Sequence, residues 1–406
     1  MKVIIAGCGI AGPVLALLLK QKGYEPVIYE RGQRTPEGAG LSLMLQLNGL
    51  RILSLIPGLV EQLPGKSIDE ASVYSVVPSD ERILGQSGHP GALRHEYGYG
   101  LFGLRRPSFL ALLTDTAIAQ GIEVHFDSQV LDIEPGKGSV GVRLHNGETA
   151  RASFVVGADG LHSNVRVALF GKQSATFTGL TQVGGITQNA FMDRKPTMFN
   201  FYGENMHLIT YPVSDTTYSW AITRRESEAK ETWRAMDTVE QDAVRSGPFS
   251  TLPFGAGYLV RNAEKITKYG LYDRPELKSW HKGRVVLIGD AAHPTSPHLG
   301  QGANQAFEDA YHLVRLLVQH HPSTESDLSD ETLSAIFTKF EARRVERTAA
   351  MVQGARRMGE MRVVEGVEKA RARNDAVQAK WAVEGAVLAE SKQMLDFKWE
   401  GWGREV

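Results

Sequence analysis

Arg284-Val285-Val286-Leu287-Ile288-Gly289-Asp290-Ala291-Ala292-His293-Pro294 is the stretch on which the fold turns. It reads as a short buried strand that stops at a glycine and hands over to a polar turn. Downstream come Pro297, the run Gly300-Gln301-Gly302-Ala303-Asn304 and the pair Asp309-Ala310, with a helix expected from about Asn304 to Gln319. A second strand end of the same grammar opens the chain. Val3 to Ala6 reads as a strand, Gly7-Cys8-Gly9-Ile10-Ala11-Gly12 as its turn and Pro13 to Gln21 as a helix. Pro26 to Tyr29 then makes the next strand, closed by Glu30. In such a G-x-G-x-x-G turn Gly7 permits the tight bend, Gly9 lets backbone approach a pyrophosphate, and Gly12 lets helix and strand pack closely. The phosphates would meet helix N–H groups and the positive end of the helix dipole. Glu30 is placed to accept hydrogen bonds from a ribose hydroxyl.

Two ligand-binding strand ends, one at each end of the sequence, suit a dinucleotide longer than NAD. FAD has a ribityl chain and an isoalloxazine still to be held. Asp290 can accept from the ribityl hydroxyls, and Gly300 and Gly302 can turn backbone N–H groups, with Ala303 and Asn304 at a helix start, toward the flavin edge that gains charge on reduction. His293 reads as a structural hydrogen-bonder. A third cluster, Gly157-Ala158-Asp159-Gly160 continuing to Arg166, reads as a strand-to-helix turn behind the phosphate loop, with Asp159 and Arg166 as organisers.

Between the cofactor motifs the grammar changes. Residues 175–265 carry alternating runs broken at Glu204-Asn205 and Ser214-Asp215-Thr216, which reads as an antiparallel sheet. A two-residue turn at Glu204-Asn205 sets Tyr202 opposite His207 and Asn200 opposite Ile209, with Tyr211 on the same face. The next hairpin is expected to add Trp220, Ile222 and Arg224 to that face, leaving Phe199, Phe201, Met206 and Leu208 as a hydrophobic layer behind. The polar-aromatic face then either lines a substrate pocket or is a solvated sheet surface, and a one-residue slip would exchange the two faces. The tail from Ser329 reads as helical, with an apolar stripe at Leu333, Ile336, Phe337 and Phe340. Its continuation through 366–380 is charged and weakly periodic, so that helix is expected to be held less firmly.

Composition excludes several function classes. The 406 residues are 42% hydrophobic and 22% charged with a net charge of -1, which offers no electrostatic footing on nucleic acid or an acidic membrane. Cys8 is the only cysteine, so neither an internal disulfide nor a cysteine zinc site can form. A reducing, cytoplasmic setting is the simpler inference. The apolar start is broken by Gly7, Gly9 and Gly12 and reads as strand, turn and helix rather than a signal peptide. No run is long enough to cross a bilayer. No metal site is expected, and His320 and His321, beyond a helix, read as solvated.

With these motifs in order, the chain resembles the group A flavoprotein monooxygenases, the para-hydroxybenzoate hydroxylase-like family, over essentially its whole length. The resemblance implies an α/β fold: a Rossmann-like FAD-binding domain, an inserted antiparallel-sheet substrate domain and a helical C-terminal tail. The expected segments are 1–70, 101–172 and 271–350 for FAD, 71–100 and 173–270 on the substrate side, and 351–406 as the helical region. It extends the cofactor set to Arg31, Gly40, Arg106 and Val130. It implies NAD(P)H as transient reductant, O2 as co-substrate, and oxygen transfer from a C4a-hydroperoxyflavin to an aromatic or other electron-rich small molecule, in a monomer or homodimer. Epoxidation and Baeyer–Villiger chemistry would use the same oxidant. The tryptophan-rich signature of flavin-dependent halogenases is missing, since Trp220 stands alone in its strand, and a non-catalytic flavoprotein is the alternative from another class. Substrate-side candidates are His207, Tyr211, Arg224, Pro297 and His298, the last pointing either at substrate or at solvent.

Overall fold

The computed structural model describes residues 1–34, 40–227, 234–326 and 328–395; the last part of the expected tail, 396–406, lies outside the described residues. The apolar run after Lys2 becomes a strand, Lys2–Ala6, buried throughout beyond its first residue, and Ala11–Gln21 follows as a helix whose residues are buried through Leu19. Both are hydrophobic all round because the strand lies inside a six-stranded sheet covered on its faces. The sheet runs His281–Lys282, Val285–Leu287, Phe154–Gly157, Lys2–Ala6, Glu25–Tyr29, Glu123–His125, and only the first of these is antiparallel to its neighbour.

Register brings the three glycine motifs together. Ala6 pairs with Gly157, and Gly157 with Leu287, so the three turns leave the carboxyl edge of adjacent strands side by side. That edge is where parallel sheets bind ligands. The turns touch: a Cβ on Gly7, whose φ is +104°, would lie 2.5 Å from the Ala158 carbonyl oxygen.

Facing this floor is a roof of eight strands in the order Arg234–Ala235, Ala263–Asp273, Thr176–Gln188, Thr217–Arg225, Met206–Pro212, Thr197–Gly203, Glu70–Ser75, Arg82–Ser87. It is antiparallel except where Thr197–Gly203 runs alongside Glu70–Ser75. A small sheet of Ser42–Leu45, Leu101–Arg105 and Gly65–Ile68 connects floor to roof. Its Gly103 is packed so closely that a Cβ would meet the Pro212 carbonyl at 2.1 Å.

The helices Gly302–His320 and Asp330–Arg362 lean on the floor, and the expected stripe of Leu333, Ile336, Phe337 and Phe340 is buried in its core. Two expectations are corrected. The helix Val367–Ala382 is firmly held: Arg373 lies 4.9 Å from the Tyr202 ring, Asn374 donates to Ser75 Oγ at 2.8 Å, and Trp381 packs against Gly85. Those anchors are polar and aromatic, so hydrophobic periodicity could not display them. His321 is buried, within 3.1 Å of Ser326 Oγ, rather than solvated.

Candidate cofactor and substrate site

A cavity of about 1580 Å³ runs from the first glycine turn, beneath the small sheet, to the roof. One drug-sized ligand needs roughly 300–1,000 Å³, so there is room for an elongated cofactor and a second molecule.

The floor is built from backbone. Gly9 faces open space, with nothing within 4 Å of a Cβ placed on it, whereas Gly12 is jammed against the Gly7 carbonyl oxygen at 2.0 Å. Gly9 is therefore the position that a ligand could approach, and Gly12 holds the turn. Glu30 accepts from Cys8 N–H at 2.7 Å and Gly32 N–H at 2.8 Å, which fixes its carboxylate at the cavity edge. Ala11, exposed Arg31 and Val130 line the same end, and the Val130 carbonyl accepts from Asn164 Nδ2 at 3.0 Å. Burial pushes the Cys8 thiol up to about 11. Asp159 accepts from Ser163 Oγ and Val165 N–H, and Arg166 reaches the carbonyls of Leu161 and Ala291, so this turn is braced internally.

Asp290 lies deep in the molecule, yet its carboxylate is open to the cavity. Withdrawal from bulk water raises its pKa, against the pull of His293, Arg106 and Arg166. An acceptor so placed, within the protein body yet exposed to the cavity, fits the hydroxyls of a ribityl chain. Behind it a polar spine holds the turn. Asp309 accepts from Gly289 N–H at 2.8 Å, pairs with His293 Nε2 at 2.6 Å, and takes Arg344 Nε at 2.7 Å. Arg344 also meets Glu308, which in turn holds Arg347 and Asn48. Burial would raise the Asp309 pKa, but His293 and Arg344 outweigh it and hold the carboxyl well below its usual range. Arg344 and its spine went unnoticed in the sequence, where a mid-helix arginine carries no local signal.

Gly300, at φ +64°, Gly302 and Ala303 line the cavity at the start of the helix Gly302–His320. Asn304 does not. The helix begins before it, so its side chain turns back to accept from Gln46 N–H and donate to the carbonyls of Met44 and Gly300. Gly12 and Gly40 also stand behind the lining; a Cβ on Gly40 would lie 3.2 Å from the Arg106 side chain.

On the roof, Tyr202 pairs with His207 and Asn200 with Ile209 as the turn predicts. The next hairpin corrects the faces. Val213 N–H donates to the Thr217 carbonyl across Ser214, Asp215 and Thr216, a three-residue turn that keeps numbering parity. Tyr211 is therefore opposite Ser219 and Ile209 opposite Ala221, while Trp220, Ile222 and Arg224 fall on the far face. Trp220 and Ile222 join Phe199, Phe201, Met206 and Leu208 in the core there, and Arg224 lies 5.6 Å from the Phe249 ring and pairs with Glu226. His207 is on the near face but one step behind the lining: it is buried, with Nε2 3.0 Å from Asn200 Oδ1. Burial, then Arg362, His298 and Arg373, hold its pKa well below that of free imidazole. Tyr211 lines the cavity, its hydroxyl 2.8 Å from Ser42 Oγ and pushed up to about 12 by burial. Pro297 and His298 line it too. His298 faces neither substrate nor solvent with its Nε2, which lies against Gly359; burial and Arg362 lower its pKa to about 3. Asn200 lines the cavity on the face where the sequence put it, and the lining residues that sequence reasoning missed are chiefly Gln182 and the wall from the helix Asp330–Arg362.

Comparison with known proteins agrees with this geometry. The family model described as FAD binding domain matches residues 1–355. A 3-amino-4-hydroxybenzoate 2-monooxygenase of Streptomyces platensis is 30% identical, covering 78% of this chain and 79% of its own. A 3-hydroxybenzoate 6-hydroxylase of Polaromonas naphthalenivorans is 26% identical over 92% and 91%. The crystal structure of Klebsiella pneumoniae HpxO complexed with FAD and uric acid superimposes with a TM-score of 0.82 at 20% identity, covering 97% of this chain and 96% of that one.

Proposed function

The chain belongs to the FAD binding domain family and is an FAD-dependent monooxygenase of the aromatic-hydroxylase type; on that premise we propose that it uses NAD(P)H and O2 to oxygenate an aromatic or otherwise electron-rich small molecule. The observation that carries the reading is the single cavity that runs from the Gly7–Gly12 turn past Asp290 to the roof face at Asn200 and Tyr211.

Each part of that cavity has a task. Gly9 and the N-terminus of the helix Ala11–Gln21 would take the pyrophosphate, and Glu30 the ribose. Asp290 would take the ribityl hydroxyls, and backbone N–H groups at Gly302 and Ala303 would face the ring. Bound FAD supplies the redox chemistry, accepting a hydride and delivering one oxygen atom from O2. The protein's own residues bind, orient and exclude water. Among the described residues no side chain on the roof face is poised as a base: Tyr211 is held protonated, and His207 is buried behind Asn200. The electron richness of the substrate therefore has to carry the reaction. Its phenol, if it has one, would be oriented by amide and hydroxyl groups rather than by a cation.

The test has two stages. Purified protein should be yellow and release FAD into the supernatant on acid precipitation, and a phenol panel should then include compounds that stimulate NAD(P)H oxidation and gain one oxygen atom. Flavin that stays with the pellet, or oxidation that no substrate stimulates, counts against the reading.

A further inference from the structure

Beyond the turn Pro297–Leu299, the cavity passes between the roof and the helix Asp330–Arg362. On that helix Met351, Gly354, Met358 and Met361 recur at helical spacing and all line the cavity. Two glycines allow the helix to press onto the turn. A Cβ at Gly354 would lie 3.2 Å from Leu299 Cδ1, and one at Gly359 only 2.5 Å from His298 Nε2. With Met44, Met198 and Met394, six of the ten methionines in the chain line this one space. Thioether side chains are unbranched and polarizable, and they mould to irregular apolar surfaces.

The facing roof is uncharged. Gln182 is committed to Tyr269 and Thr223, and Tyr211 to Ser42. Asn200 differs. Its Oδ1 meets His207 Nε2, and among the described residues its side chain has no other hydrogen-bond partner. With Oδ1 as the atom that faces Nε2, His207 is assigned the Nε2–H tautomer as donor, and the amide NH2 is turned into the cavity. Of the cations on the same cavity, Arg106 lies near Asp290, Lys380 pairs with Glu390 and Arg357 is exposed. Arg362 is held on the helix side by the His298 carbonyl at 2.7 Å. A carboxylate set against the methionine stripe would lose its water to thioethers that return neither a hydrogen bond nor a counter-charge.

We propose that the substrate is an uncharged, largely apolar fused-ring aromatic carrying a hydroxyl or carbonyl oxygen, held by that oxygen at Asn200 and by its rings against the Met351–Met358–Met361 stripe. The assignment rests on the oxygenase reading above and separates this chain from relatives named for hydroxybenzoates. Asn200 is the specificity-determining residue, and His207 positions it.

Binding tests this apart from turnover. The full-length, FAD-loaded protein is titrated at pH 7 with naphthalene, 2-naphthol, 6-hydroxy-2-naphthoate and 3-hydroxybenzoate, following the flavin absorbance, with NAD(P)H oxidation read in parallel. 2-Naphthol should bind at least about tenfold more tightly than either carboxylate. Asn200→Leu should erase its advantage over naphthalene while FAD content stays at the wild-type level. Carboxylates that bind as well as 2-naphthol overturn the proposal, as does a hydroxyl preference that survives Asn200→Leu. The wild-type comparison stands even if that variant fails to fold. A clear 2-naphthol preference without stimulated oxidation supports the pocket assignment and counts against the oxygenase reading alone.

Discussion

The floor and the roof of the cavity meet their ligands in different ways. On the floor the proposed contacts would come from backbone at Gly9, Gly302 and Ala303, with one carboxylate, Asp290, between them. On the roof they come from side chains that alternate along strands, and the identity of each depends on a register set across two turns. A backbone site is specified within a few residues of sequence and tolerates little change. A side-chain site is specified at a distance and can be rewritten one position at a time. One wall therefore suits a constant cofactor, and the other a variable substrate.

The largest expected effect tests whether the two walls unfold as one unit. Burial holds His89 at about 4, and His298 and His312 at about 3. Their folded pKa values lie below the unfolded value of about 6.5, so the native state takes up no proton where the unfolded chain does. Stability is therefore complete above about pH 6.5 and falls as pH drops toward the folded values, by about 2 kcal/mol per histidine by pH 5. Asp309 is also lowered, which for a carboxylate is stabilising; its contribution is intact above about pH 4 and leaves this window untouched. Urea unfolding at pH 7 and pH 5 measures the drop. His298 lies at the cavity and His312 in a floor helix, so replacing either with Leu should flatten the profile equally. If only one does so, the walls unfold separately.

Arg344→Met comes next. It strands Glu308 and Asp309 without their buried partner, at a cost of about 3–5 kcal/mol in denaturant unfolding. Because Arg344 ties the helix Gly302–His320 to the helix Asp330–Arg362, the loss should also weaken substrate binding. Intact stability would mean that the spine is dispensable.

Two floor variants sharpen the backbone argument. Gly9→Ala should leave unfolding within about 0.5 kcal/mol of wild type, since its Cβ meets only open space, yet weaken FAD binding at least about tenfold. Asp290→Ala should cost roughly 1.5–3 kcal/mol in FAD affinity, about tenfold to a hundredfold, with the product profile unchanged. Titrating apoprotein with FAD checks both; unaltered affinity in either removes that residue from the cofactor site.

The smallest effects lie on the roof. His207→Leu frees the Asn200 amide and should raise KM about two- to tenfold, with kcat and flavin affinity near wild type; His207→Gln, which can still donate to Asn200, should recover most of it. Arg224→Ala, on the far face, should change neither KM nor the peroxide released per NAD(P)H. Steady-state kinetics with a peroxide assay distinguishes them, and an effect of Arg224 as large as that of His207 would undo the face assignment.

The same contrast explains what could be read from the sequence. The glycine turns, and the placing of Glu30 and Asp290 on one cavity, were legible because each sits at a strand end marked by local backbone geometry, and their meeting follows from parallel pairing of Ala6, Gly157 and Leu287. Asn304 was misplaced because the helix starts two residues earlier than the polar run implies. Arg224 was assigned to the wrong face because one hairpin was counted with the wrong parity. The methionine wall was invisible. Those residues face a cavity only because Gly354 and Gly359 bring their helix onto a turn far away in sequence.

Cys8 stands in the phosphate turn, buried beside Thr114, with its thiol pushed up to about 11. Peroxides oxidise thiolates rather than thiols, so at neutral pH this sulfur is chemically quiet. Methionine thioethers have no such protection, since their reaction needs no lost proton. When oxygen transfer miscarries and hydrogen peroxide escapes, damage should begin at Met351, Met358 and Met361, converting the soft wall into polar sulfoxides. The cofactor turn would outlast the substrate wall, and an ageing preparation would stay yellow after it had ceased to recognise its substrate.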